Sequence, residues 1–136
     1  MREILFRGKQ IDTGAWVEGA FCMKDCDDPF GELVDRPSII KYEEPHSGYW
    51  FRVDPETVGQ FTGFFDHDGQ KIFEGDIISG YDNTYVCRWD EGNAEFTVFD
   101  GKESFGLAYA DYMNMEVIGN IHDNPELLEV PDAEEN

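Results

Sequence analysis

A mainly-β fold, a small antiparallel sheet bent until it closes on a barrel-like core and capped by one or two short helices, is predicted from three observations. Of 136 residues, eleven are Phe, six Tyr and three Trp, bulky β-favouring side chains that anchor such a core. Fourteen are Gly, which suits a chain with many tight turns. Short apolar runs alternate with clusters of turn formers, the spacing of antiparallel hairpins. One domain is expected at this length, residues 1–129, followed by an acidic and frayed tail at 130–136.

Taken in order, Ile4 to Phe6 reads as a short strand. Its partner is Trp16 to Phe21, with Trp16, Glu18 and Ala20 on one face and Val17 and Phe21 on the other. Lys24 to Arg36, rich in Asp, Gly and Pro, keeps neither a 2.0 nor a 3.6 period and predicts a mobile surface loop. Ile39 to Tyr42 and Tyr49 to Val53 flank the turn formers Glu43 to Gly48 and predict a hairpin. Asp54-Pro55-Glu56-Thr57 sets an Asp cap before a Pro and predicts a single helical turn.

Phe61 to Phe65 and Lys71 to Ile78 flank Asp66-His67-Asp68-Gly69, a hairpin tip whose Gly supplies positive φ. Within the second run, Glu74-Gly75-Asp76 makes a tight turn, Gly giving backbone freedom and Asp capping exposed amides. Tyr85 to Trp89 and Glu95 to Phe99 form another hairpin about Asp90 to Asn93, with Tyr85, Cys87 and Trp89 sharing a face. From Ser104 to Met115 a helical stripe at Phe105, Ala108, Tyr109 and Tyr112 competes with Gly106, so helix and irregular segment both stay open. Glu116 to Ile121 returns to strand, and Asp123-Asn124-Pro125 opens a last short helix.

The hairpin segment resembles the YopX family of small phage and prophage proteins, whose core pattern falls on Thr62, Gly63, Asp66, Gly69, Ile72, Phe73, Glu74, Gly75, Asp76 and Ile77. A second stretch, Val117-Ile-Gly-Asn-Ile-His-Asp-Asn-Pro-Glu-Leu-Leu128, resembles the same family's C-terminal pattern, and Arg2 to Arg7 is similar to its opening. The family's usual early Trp appears here only at Trp16. The resemblance implies an SH3-like pseudobarrel and a phage origin, and it implies no reaction.

Thirty acidic against ten basic residues give a formal charge of −20, which repels nucleic-acid phosphates and anionic membrane surfaces. Cys22, Cys26 and Cys87 are an odd number with no secretory leader before them, so a reducing cytoplasm is the expected compartment, and the resemblance to phage proteins implies that of a bacterial host. No run is long and apolar enough to span a bilayer. Asp66, Asp68 and Glu74 are mis-spaced for a calcium loop, and the cysteines with His46, His67 or His122 are mis-spaced for zinc. No cofactor, metal or catalytic residue is therefore assigned.

The candidate interaction loop is Asp66, Asp68, Gly69, Glu74, Gly75 and Asp76. Three functional readings follow. The first is a non-enzymatic accessory protein that binds itself or a host or phage protein. The second is an acidic DNA mimic that inhibits a host nucleic-acid-binding protein, and the third is a small carboxylate-dependent hydrolase.

Overall fold

The computed structural model describes residues 3–27, 33–44, 47–80, 83–110 and 114–128, which hold ten strands and almost no helix. The mainly-β expectation is met. The strands form two five-stranded sheets, one ordered β1-β2-β3-β4-β5 with an added β1–β4 pairing, the other ordered β10-β6-β7-β8-β9. The chain divides into two compact units, Met1–Phe61 and Thr62–Asn136. Among the described residues no helix is long and apolar enough to cross a membrane.

The first unit holds β1 (Phe6–Gln10), β2 (Trp16–Asp27), β3 (Leu33–Glu44) and most of β4 (Ser47–Phe65). β1 pairs with β2, β2 with β3, β3 with β4 and β4 again with β1, so hydrogen bonding runs round a four-stranded ring. Val17, Ile39 and Val53 fill it, with Phe6, Phe21, Phe51 and Val58 packed against them. Val17 and Phe21 thus share the inward face that strand alternation assigns them. Burying each such aliphatic contributes about 1.5–3 kcal/mol.

Local sequence misleads in three places here. β1 begins at Phe6 rather than Ile4, which is 64% exposed; a polar Phe-Arg-Gly-Lys-Gln segment becomes a strand because two neighbours pair with it. The expected loop at Lys24 to Arg36 is ladder at both ends, with Lys24 opposite Arg36 and Asp27 opposite Leu33, and residues 28–32 lie outside the described ones. The hairpin between β3 and β4 is present, with Glu44 pairing with Ser47, and residues 45 and 46 lie outside the described ones.

Asp54 to Thr57 is no helical turn. It lies in β4 at a bulge, where the pairs Arg7–Gly59 and Lys9–Asp54 leave residues 55–58 unmatched against β1, and Pro55 loses no ladder bond there. The capping chemistry survives. Asp54 Oδ1 accepts Glu56 N at 3.0 Å, Thr57 Oγ1 donates to Asp54 O at 2.6 Å, and Lys9 N donates to Thr57 Oγ1 at 2.9 Å.

The second unit starts with the end of β4 and contains β5 (Lys71–Phe73), β6 (Asp76–Gly80), β7 (Asn83–Asp90), β8 (Glu95–Phe99), β9 (Ser104–Gly106) and β10 (Glu116–Asn120). Its core is Ile72, Ile78, Tyr85, Cys87, Val98, Leu107 and Met115. Cys87 is the small buried hydrophobe that its strand position predicts, while Trp89 is 42% exposed and stacks edge-on against Phe96 at 5.0 Å.

The open segment between β8 and β10 resolves into β9 and one helical turn, α1 (Leu107–Ala110); residues 111–113 lie outside the described ones. Phe105 packs edge-on against Tyr85 at 6.4 Å, and Leu107 is buried at the start of α1. A 3-10 helix at Pro125–Leu128 ends the described chain, as its Pro predicts.

Candidate functional site

Asp66 follows β4 directly and is buried, although aspartate is rarely interior unless paired. Its partners are backbone amides. Oδ1 accepts Asp68 N at 2.9 Å and Gln70 N at 2.8 Å, shaping the hairpin tip as an Asx-turn, while Oδ2 accepts Val117 N at 3.0 Å across 51 positions of sequence. His67 N donates to Met115 O at 3.0 Å, so the tip holds the chain on both sides of Glu116, the first residue of β10. Burial acts to raise the Asp66 carboxyl, but the three amides, helped by nearby His67, outweigh it and hold it below the ordinary 3.8.

The next turn uses the same device. Asp76, 1% exposed, accepts Phe73 N at 2.7 Å and closes the turn over Glu74 and Gly75. Gly75, at φ +92, donates to Cys87 O at 2.8 Å and accepts Ile121 N at 3.0 Å. Asp76 lies opposite Asn120 in the β6–β10 ladder. Asn120 Oδ1 in turn accepts His122 N at 3.0 Å and Asp123 N at 2.9 Å, and Asn124 Oδ1 accepts Asn120 N at 3.2 Å. A Cβ on Gly119 would lie 2.6 Å from Asn124 Oδ1, so glycine leaves the room this contact needs.

The six loop residues therefore divide. Asp66, Gly75 and Asp76 are buried against backbone, Glu74 is half-buried, and Asp68 and Gly69 stand exposed at the tip. The structure joins the hairpin to the C-terminal segment, which sequence spacing alone does not pair. Among the described residues, His67, Asp68 and Glu116 are also brought together, all exposed, with donor atoms within 4.8 Å of one another. Glu116 was not a sequence candidate, because it reads as one polar position in a strand. Cys22 is half-buried and Cys87 buried, and the Cys26 side chain lies outside the described residues.

A different surface occurs on the first unit. An open depression of about 520 Å³ is lined by Gln10, Ile11, Asp12, Trp50, Phe51 and Arg52, and a second of about 480 Å³ shares Gln10 and Ile11 and adds Lys9. Ile11 is 67% exposed and Trp50 48% exposed. Ile11 N donates to Arg52 O at 3.1 Å, which fixes the two sides against each other. The sequence gives little sign of this surface, since Ile11 sits alone among polar turn residues.

The family model for the YopX protein matches residues 6–129. No curated protein matches the sequence. Among solved structures, the crystal structure of protein EF1440 from Enterococcus faecalis is similar in fold, with a TM-score of 0.54 and 24% identity, covering 95% of this chain and 100% of that one. The family match takes in both sequence patterns, the clasp they build and nearly all of the chain, and the protein belongs to the YopX family.

Proposed function

We propose that this chain is a non-catalytic phage or prophage accessory protein that binds protein, in the first instance a second copy of itself, through the depression on its first unit. The observation that carries this reading is the exposure of Ile11 and Trp50 beside Arg52 and Lys9. Tryptophan and arginine dominate the energetics of protein interfaces, and exposed large apolar side chains set among polar ones suit a docking surface. The shared motif supports the same reading from the other direction. Asp66, Asp76, Asn120 and Asn124 direct side-chain oxygens at backbone amides, which makes holding the fold their work. A phage origin, which the sequence resemblance implies, fits action in the bacterial cytoplasm.

Sedimentation equilibrium of wild type and Trp50→Ala tests the proposal. Association is expected for wild type and at least tenfold weaker association for the variant. Equal association of the two proteins would contradict it.

A DNA mimic is the second reading, and one observation favours it. Residues 1–61 carry 12 acidic and 7 basic side chains, a formal −5, whereas residues 62–136 carry 18 and 3, a formal −15. Charge concentrated in one unit is what a basic nucleic-acid-binding protein would recognise. A complex formed this way should weaken steeply with salt and be indifferent to Trp50→Ala.

A further inference from the structure

We infer that His67, Asp68 and Glu116 form a three-ligand site for a divalent transition-metal ion. One imidazole and two carboxylates offer donor atoms within 4.8 Å of one another. Two of the three, His67 Nδ1 and Asp68 Oδ1, are 3.6 Å apart. Ligands of one ion with bonds of about 2.0–2.2 Å lie about 3.5 Å apart, so donors up to 4.8 Å apart have to draw in on their exposed side chains when the ion binds. The imidazole selects the class of ion, because zinc, cobalt and nickel take nitrogen donors that magnesium and calcium do not favour.

The ligands come from separate segments that meet through backbone contacts. His67 N to Met115 O at 3.0 Å and Val117 N to Asp66 Oδ2 at 3.0 Å hold the residues on either side of Glu116, and Asp68 N to Asp66 Oδ1 at 2.9 Å holds the other half. The positions of the ligand backbones are thus set before any ion arrives, which lowers the ordering cost of binding. Within residues 62–136, a formal charge of −15 raises the local concentration of cations. Three protein ligands leave coordination positions open to water or to a donor from a bound partner. The ion is then exchangeable, and the hydrophobic core does not depend on it.

Calorimetric titration of the full chain with zinc, repeated with cobalt and read by its visible absorption, tests the site. Wild type should bind one ion per chain, at least tenfold more weakly after His67→Ala or Glu116→Gln and with unchanged affinity after Glu91→Gln, which removes an exposed acid from a different turn. Tenfold excess magnesium should not displace the ion. No saturable binding, equal binding by all four proteins, or displacement by magnesium would each overturn the inference and leave only a diffuse counter-ion atmosphere. Circular dichroism on each variant separates loss of ligand from loss of fold.

Discussion

At Asp66 a single carboxylate serves three backbone amides from two distant segments. Asp66→Ala strands those donors and should cost on the order of 3 kcal/mol in chemical denaturation, because each buried unsatisfied donor costs about 1–3 kcal/mol. Its titration gives a second test. The folded carboxyl lies below the ordinary value of 3.8, so its contribution to stability is fully present above the unfolded pKa and is lost as pH falls from about 4 through the folded value. Unfolding free energy measured from pH 6 to pH 2 should therefore fall less steeply in Asp66→Asn than in wild type below about pH 4; equal slopes would mean that the clasp is not charge-assisted. Three residues on, Gly69 has φ +85 with nothing near its Cβ position. Gly69→Val should lower stability by about 1–3 kcal/mol through backbone strain alone, read from the thermal midpoint.

The elements show where sequence stops being informative. The hairpin about Asp66 to Gly69 is legible because its turn chemistry is local, and so is Cys87 because strand alternation buries it. β4 is not legible as one strand, since Asp54-Pro55 carries a helix-start signal that a bulge opposite β1 overrides. β1 is a strand through its neighbours rather than its own residues. The candidate site divides in the same way. Asp66, Asp76 and the Asn120–Asn124 pair sit in recognisable motifs, but their meeting depends on the register of β6 with β10, set across some forty positions. That register carries its own prediction. Gly119→Ala forces Asn124 Oδ1 from its place beside Asn120 N, and overpacking of this kind costs about 1–3 kcal/mol. Amide exchange at Asn120 to Asn124 should accelerate, while exchange at Val98 in β8 should be unchanged.

For the whole molecule the decisive quantities are a formal charge of −20 and its uneven share between the two units. Self-association through an apolar face must overcome repulsion that salt screens over about 8 Å at physiological ionic strength. Added salt should therefore hold or tighten a dimer made through Ile11 and Trp50, and should loosen any complex made by acidic side chains with a basic partner. Ile11→Asp places a charge at a position that is 67% exposed in one copy. The substitution should leave the monomer's stability within about 0.5 kcal/mol. The most direct test is sedimentation velocity of wild type and Ile11→Asp from low to moderate salt. The account predicts a wild-type oligomer that persists or strengthens as salt rises and an Ile11→Asp protein that stays monomeric; a wild-type monomer at every salt concentration, or an oligomer unaffected by Ile11→Asp, would contradict it.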